Sequence, residues 1–325
     1  MENTSITIQI SWPEAFFADW PWRALRVEGS DQEKFLNGIV TNTIKGMQEG
    51  DTHPSFALTV KGRIITETLV TREQDAFLLW ADAHEQDALW GHVDHYHVIE
   101  DVTFGWSDQA MLLLGGSRIA QRFEALGITP PEAGKGQRWS TSKDSASVWI
   151  SRMARFEAPP LWVAWGSQEA LRSFQEALQT QGAADFSASA QALAFCVGWY
   201  DSSLELKDLL IHEAGAENTH VNFKKGCFIG QEVVARTHWR GKANKGLFLL
   251  GSHEPLDSDL QPNTLVYNQE DQEVGQIRRR QTLLGGQEAL RALLRLKSIE
   301  EQDRFHAILS DGSRIPLQRL DIQFS

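Results

Sequence analysis

The order of apolar and polar positions predicts a chain that mixes strands with helices. Positions 24–28 alternate as a strand does, Gly29 interrupts the alternation, and positions 31–39 have the spacing of an amphipathic helix. The same patterns predict further strands at 56–60, 64–70 and 76–81, and further helices at 85–93, 119–126, 167–181 and 188–198.

The pattern changes after Lys245 to short strands separated by turns. It predicts strands at 246–250, 274–277, 289–296 and 304–309, a spacing that indicates a small barrel. Strand meanders and helices occur along the chain without a regular βαβ alternation. We therefore expect an α+β fold and not a doubly wound sheet.

Bulk properties narrow the protein class. The 325 residues suffice for two or three domains of roughly 100–150 residues each. The first basic residue is Arg23, and no apolar run approaches the roughly 18 residues that cross a bilayer, so we expect a soluble cytoplasmic protein. A net charge of -12 argues against non-specific nucleic-acid binding through the whole surface.

Only two cysteines occur in the chain, which excludes a disulfide framework. Cys196 lies in the apolar run 193–197, where burial explains it. Cys227 lies in the segment KKGCFIGQE, directly after two lysines. Because neighbouring ammonium groups favour a thiolate, we expect Cys227 to be a functional thiol and Lys225 to support it. The alternative is a small buried hydrophobe in a turn.

The residues around this cysteine predict a tight loop followed by a helix. Gly226 and Gly230 allow the backbone to turn sharply, and Gln231 opens a short helix that runs to about Arg236. The spacing matches neither a phosphate-binding P-loop nor a C-x-x-C redox pair.

The segment 223–232 resembles the signature of the YgfZ proteins. These are folate-binding relatives of the glycine-cleavage aminomethyltransferase that act in iron–sulfur cluster assembly or repair, including for tRNA-modifying enzymes. The resemblance extends to 22–42, to Lys-Gly-Arg at 61–63, to 211–215 and to Gly275.

This resemblance implies an α+β, three-domain cloverleaf of the aminomethyltransferase type around a central channel, with a C-terminal β-barrel. The implied domains are a discontinuous folate-binding core at 1–50 and 108–240, an inserted ferredoxin-like domain at 51–107, and the barrel at 241–325.

The resemblance also implies a site for tetrahydrofolate or a related reduced folate. Trp22, Asn42 and Glu213 would hold the cofactor, with Gln231 and Arg236 beside them. A carboxylate such as Glu213 can accept two hydrogen bonds from the N–H edge of an aminopyrimidine. The preceding His212 departs from the Pro-x-Glu pattern of the family.

Positive charge is concentrated close to the cysteine. Residues 222–253 contain one acidic residue, Glu232, against six basic ones: Lys224, Lys225, Arg236, Arg240, Lys242 and Lys245. Such a stretch suits an anionic ligand, including the glutamate tail of a folate, a phosphate or an acidic partner. The alternative is a solvated connection between domains.

Three functions remain open. The first is an accessory role without classical turnover, with iron–sulfur proteins and assembly factors as partners. The second is a tetrahydrofolate-dependent aminomethyl or methyl transferase, but the family's acidic positions are Ile65 and Thr66 here, with Glu67 displaced to the other face of its strand. Direct tRNA binding by the basic stretch ranks last.

Two other clusters carry weaker expectations. His92, His95 and His97 lack the spacing of a zinc or iron site, so no metal site is predicted and a polar helix end entering a strand at 98–104 is expected. Residues 278–280, three consecutive arginines, are expected to form a solvated edge of the barrel.

Overall fold

The structure, a computed structural model, describes residues 5–140, 147–157, 159–241, 243–256 and 259–324. The chain forms two compact units. The N-terminal unit comprises residues 12–190 and 218–232. The barrel unit comprises the described parts of 1–11, 191–217 and 233–325.

Strands and helices alternate irregularly along the described residues, as the α+β prediction requires. The strands are β1 (Ile6–Ile10), β2 (Phe16–Trp20), β3 (Trp22–Glu28), β4 (Thr52–Leu58), β5 (Ile64–Arg72), β6 (Ala76–Asp82), β7 (Thr103–Trp106), β8 (Ala110–Gly115), β9 (Gly136–Trp139), β10 (Val148–Glu157), β11 (Pro160–Gly166), β12 (Ala184–Asp185), β13 (Lys245–Gly251), β14 (Leu265–Tyr267), β15 (Glu273–Thr282), β16 (Glu288–Arg295), β17 (Arg304–Ile308) and β18 (Arg314–Phe324). The helices are α1 (Gln32–Ile39), α2 (Gln86–Tyr96), α3 (Ile119–Ala125), α4 (Gln168–Thr180), α5 (Ala190–Cys196), α6 (Glu217–His220), α7 (Gln231–Arg240) and α8 (Leu296–Glu301).

The first sheet of the N-terminal unit has the strand order β4-β5-β6-β3-β7, with every neighbouring pair antiparallel. Helices α1 and α2 contribute to the same apolar core as this sheet. Phe35, Leu36 and Ile39 are the buried residues of α1 and lie on one face of the helix, as the amphipathic spacing at 31–39 predicts.

The second sheet of the N-terminal unit has the order β12-β2-β8-β11-β10-β9. Its core includes side chains of α3 and α4, among them Phe123 and Phe174. The rings of Phe123 and Trp162 meet edge to face with centroids 5.7 Å apart. Each sheet of this unit therefore buries one face against its own pair of helices.

A closed barrel forms the largest sheet of the barrel unit. Its strands follow the order β18-β13-β16-β15-β14-β17, and β17 pairs back onto β18. Strand β1 adds to β18 in parallel. Gly275 is required for closure, because a Cβ at this position would lie 2.0 Å from the carbonyl oxygen of Leu293. The predicted C-terminal barrel is confirmed.

The expectation that residues 278–280 form a solvated barrel edge was wrong. Arg279 is only 9% exposed, and its Nη1 lies 3.6 Å from Oε2 of the fully buried Glu205. Arg280 forms an ion pair of 2.7 Å with Glu288, and burial lowers the pKa of Arg278. The sequence pattern missed this because Glu205 is remote in sequence.

A predicted strand at 98–104 was also wrong at its start, since β7 begins at Thr103. Val98 and Ile99 are 78% and 90% exposed. Their main-chain N–H groups both donate to the Glu100 carboxylate at 3.1 Å, an arrangement that satisfies the backbone locally and replaces sheet pairing.

Across the described ranges, no helix combines 18 residues with the apolar composition that a membrane span needs. The predicted domain boundaries at 50, 107 and 240 stay predictions.

Candidate functional site

The cysteine segment is an irregular loop of the N-terminal unit that leads into α7. Cys227 and Lys224 are exposed, whereas Lys225 and Phe228 are buried. The alternative in which Cys227 is a buried hydrophobe was therefore wrong. The other thiol, Cys196, is buried as expected, and burial raises its pKa to about 11.

Lys225 fixes the loop to the segment that follows α1. Its Nζ donates to the carbonyl oxygens of Val40 and Asn42, both at 2.6 Å. Carbonyl oxygens at the C-terminal end of a helix lack hydrogen-bond donors within the helix. A lysine ammonium is well suited to donate to them. Burial lowers the pKa of Lys225 to about 7, although the two carbonyls favour its charged form.

Two further contacts hold the same loop. The N–H of Asn222 donates to the Thr41 carbonyl at 3.2 Å, and the N–H of Ile229 donates to the Gly38 carbonyl at 3.1 Å. With Lys225, these bonds tie both ends of the loop to the C-terminal end of α1. The exposed thiol of Cys227 therefore lies on a loop that is anchored by hydrogen bonds on both sides of it.

Gly230 lets this loop approach the turn between β4 and β5. Its φ is +80°, and a Cβ on it would lie 2.7 Å from the Thr59 carbonyl oxygen and 3.0 Å from the Cα of Gly62. The second glycine of the motif is therefore needed for both conformation and space. Gly226 has no atom within 4 Å of its ideal Cβ position.

A buried pair that the sequence did not predict lies just before the loop. His220 Nε2 and Glu67 Oε1 are 2.9 Å apart, and neither side chain is more than 2% exposed. The His220 ring stacks on Phe56 with centroids 4.5 Å apart. Thr41 Oγ1 donates to the His220 carbonyl at 2.7 Å. The signal in the sequence was Glu67 itself, because a carboxylate in a buried strand needs a partner.

Asn42 has a side chain that is already engaged within the N-terminal unit. Its Nδ2 donates to the carbonyls of Pro54 at 2.9 Å and Thr219 at 3.1 Å, and its Oδ1 accepts from the Thr43 N–H. Trp22 is buried in β3, where it pairs with Asp82. Their predicted contacts with folate stay predictions.

Glu213 and Arg236 belong to the barrel unit. Glu213 lies in the turn after the π-helical segment Ser202–Leu206, where its Oε2 accepts the Leu210 N–H at 2.9 Å. Burial lowers the pKa of Arg278, and the negative charge of Glu213 partly offsets this effect. Arg236 is exposed on α7. Gln231 begins that helix and belongs to the N-terminal unit.

The histidines of the predicted non-metal cluster have separate partners. His92 Nε2 bonds the Ile39 carbonyl at 2.8 Å, and His97 Nε2 bonds the Glu100 carbonyl at 3.1 Å. Within the described ranges, no group of three or more His, Cys, Asp or Glu side chains is arranged to hold a metal ion.

Comparisons with known proteins define the relationship. No family model matches the chain. It is 27% identical over 260 residues to the iron–sulfur cluster assembly factor IBA57 of Mus musculus, covering 75% of this chain and 68% of that protein. It is 25% identical over 252 residues to the tRNA-modifying protein YgfZ of an Enterobacter species, covering 71% and 70%. The chain is related to the YgfZ and IBA57 proteins.

The YgfZ resemblance noted in the sequence is thereby confirmed. The match to an IBA57 homologue of Neurospora crassa, at 23% identity, covers 69% of this chain but spans half the length of that relative. The structure superposes on an aminomethyltransferase T of the glycine cleavage system from Bartonella henselae with a TM-score of 0.76 at 15% identity. That match covers 96% of this chain and 86% of the other, so the aminomethyltransferase fold is confirmed.

The basic stretch of this YgfZ relative exposes less charge than its sequence implies. Lys225 is buried, and Lys242 lies outside the described residues. Lys224, Arg236 and Lys245 are exposed. Lys224 is in the N-terminal unit and the other two are in the barrel unit.

Proposed function

We propose that this protein is a folate-dependent accessory factor in iron–sulfur cluster assembly or repair, acting through the Cys227 thiol in the cytoplasm. Its clients would be iron–sulfur enzymes, including tRNA-modifying ones. The observation that carries the proposal is the exposed Cys227 on a loop fixed by the Lys225 contacts to Val40 and Asn42. The names of the IBA57 and YgfZ relatives support the client class.

Reduced folate, as tetrahydrofolate, is the proposed cofactor, and it would supply a pterin ring and an anionic tail. Glu213 fits the pterin by its chemistry, since a half-buried carboxylate can accept the aminopyrimidine N–H edge. Arg236, exposed on α7, would face the anionic tail. Trp22, Asn42 and Gln231, all in the N-terminal unit, stay predicted folate-binding residues.

The transferase alternative depends on a carboxylate able to act on an amine. Glu67, the acidic residue nearest the family positions Ile65 and Thr66, is buried and bonded to His220. This contact favours a structural use of that carboxylate. The accessory role is accordingly the better supported of the two.

Complementation tests the thiol. Wild type and variants are expressed in a strain that lacks its own YgfZ, and the activity of an iron–sulfur enzyme is measured. We expect Cys227→Ala to fail to restore the enzyme activity. Cys196→Ala, whose fold is checked by circular dichroism, should restore it. Full rescue by Cys227→Ala would remove the thiol from the mechanism.

Titration of tetrahydrofolate against tryptophan fluorescence tests the cofactor. We expect saturable quenching of the fluorescence by tetrahydrofolate. Glu213→Gln should lower the affinity for tetrahydrofolate about tenfold, because a charge-assisted bidentate hydrogen bond is lost. Glu254→Gln, on the exposed surface, is the control. Absence of quenching would overturn the folate assignment, and turnover of an aminomethyl donor would establish the transferase instead. Tight binding of tRNA whose affinity falls steeply as the salt concentration rises would favour the tRNA-binding function.

A further inference from the structure

The barrel unit contains a cavity that none of the predicted site residues lines. Its volume is about 510 Å³, which is within the range of small-molecule sites. It lies among the turn that carries His212, helix α7 with the segment after it, and α8. The polar lining consists of His212, Glu217, Thr237, His238, Asn244, Lys297 and Glu300.

Two buried polar atoms in this wall lack a hydrogen-bond partner in the described part of the chain. His212 Nε2 and Glu217 Oε2 are buried from water, and neither finds a partner among the residues that the structure describes. A buried polar atom without a partner costs roughly 1–3 kcal/mol. A ligand that donates N–H groups at this wall would remove that cost.

Among the side chains that the structure describes, the charge of the wall favours a cation. Glu217 and Glu300 contribute two carboxylates. Burial lowers the pKa of His212 and so favours its neutral ring, although the nearby Glu217 acts in the opposite direction. The one lysine of the described lining, Lys297, has a side chain that is 85% exposed and an Nζ that lies 3.8 Å from Glu301 Oε1, so its charge is directed to another carboxylate.

The shape of the wall selects among cations. A bare metal ion does not fit, because the described residues contain no set of three convergent ligands. The rings of His212 and His238 have centroids 6.1 Å apart and planes inclined by 39°, so they offer flat faces. A guanidinium is planar, weakly hydrated, able to stack on rings and able to bond a carboxylate with two N–H groups, all of which an ammonium lacks.

We propose that this cavity is a guanidinium-binding site, in which Glu217 Oε2 and His212 Nε2 accept the N–H groups and the imidazole of His238 offers a face for stacking. The volume exceeds what a guanidinium alone needs, so the group would be part of a free arginine-like metabolite or of an arginine side chain on a peptide. Neither Cys227 nor any residue proposed to bind folate lines this cavity.

Calorimetric titration of the full-length protein tests the site. L-arginine is the first probe, and L-citrulline, which replaces the guanidinium with a neutral urea group, is its matched control. L-lysine tests for any cation, and the peptide Gly-Arg-Gly distinguishes a peptide source from a free amino acid. We expect saturable binding of arginine or of the peptide, at least tenfold tighter than that of citrulline or lysine.

Variants locate the binding. Glu217→Gln preserves shape and removes the charge, so we expect affinity to fall about tenfold. Glu300→Gln should weaken binding as well, whereas Glu176→Gln, exposed in the N-terminal unit, should leave it unchanged. Three results would each overturn the site: no heat at about 10 mM of either guanidinium probe, citrulline or lysine binding as well as arginine, or equal affinities for Glu217→Gln and Glu176→Gln.

Discussion

The ammonium of Lys225 donates to the main-chain carbonyl of Asn42 at 2.6 Å, across 183 positions of sequence. The same nitrogen donates to Val40 at 2.6 Å. Lys225 therefore holds the loop that presents Cys227. It is an anchor of that loop to the end of α1.

Stability should rise with pH because of Lys225. Burial lowers its pKa in the folded protein to about 7, against 10.5 for the free side chain. Between these values the unfolded chain binds a proton that the folded protein does not, so the free energy of unfolding increases with pH, by at most about 1.4 kcal/mol per pH unit. Below pH 7 the full cost of burying the ammonium is present.

Urea denaturation from pH 7 to 9 measures this slope. We expect Lys225→Met to flatten it and Lys224→Met, the exposed neighbour, to keep the wild-type slope. Equal slopes in all three proteins would show that the buried ammonium keeps its proton through its two carbonyl acceptors.

Replacement of Gly230 by alanine should destabilise the N-terminal unit. The new Cβ would lie 2.7 Å from the Thr59 carbonyl oxygen in a backbone with φ of +80°. We expect a loss of about 1–3 kcal/mol in the free energy of unfolding. Gly226→Ala, where no atom lies within 4 Å of the Cβ, is the matched control and should change little. A Gly230→Ala protein as stable as Gly226→Ala contradicts the packing described for the loop.

The two thiols should react in a fixed order. Cys227 is exposed, whereas Cys196 is buried and has a pKa raised by burial to about 11. At pH 8 iodoacetamide should modify Cys227 in the folded protein and Cys196 only in urea, since the thiolate is the nucleophile. Peptide mass spectrometry reads the sites, with Cys227→Ser as the control. Equal rates for both thiols in the native protein would refute the exposure assigned to Cys227.

Arg291 should be a major contributor to the stability of the barrel unit. Its Nη1 lies 2.9 Å from Oε1 of the fully buried Glu205, and its Nη2 donates to the Phe195 carbonyl at 2.8 Å. Arg291→Met removes one partner of a buried ion pair, so we expect a loss of about 3–5 kcal/mol. The measurement is the free energy of unfolding in urea.

Lys297→Met provides the surface comparison for that experiment, because an exposed ion pair contributes about 0–1 kcal/mol. The double variant Glu205→Leu with Arg291→Met should lose less stability than the sum of the two single variants, since either change alone already breaks the pair. The contact of Arg279 with Glu205 is lost equally in Glu205→Leu and in the double variant. A double variant as unstable as the sum of its parts would show that the two residues do not act as a pair.

Patterns that depend on neighbours in sequence were predictable. The alternation at 24–28 and the helical spacing at 31–39 correspond to β3 and α1 within two residues at each end. The strands on either side of Lys61 to Arg63 pair as expected, because a tight turn brings adjacent strands together.

Other features depend on remote partners and were missed or mistaken. Strand β18 contains Pro316 and completes the barrel by pairing with β17 and β13, yet its local pattern is weak. Arg279 looks solvated in the sequence because its buried partner Glu205 lies far from it along the chain. The pairing of His220 with Glu67 was missed for the same reason, because the two residues lie far apart along the chain.

By itself the sequence determined the cysteine motif, the order of most strands and helices, and the relationship to YgfZ, since each is expressed in residues close together along the chain. Only the tertiary structure decided that Cys227 is exposed while Lys225 is buried and bonded to the end of α1. The physical reason is that burial and hydrogen bonding depend on which distant segments meet, and a short sequence motif contains no information about its spatial neighbours.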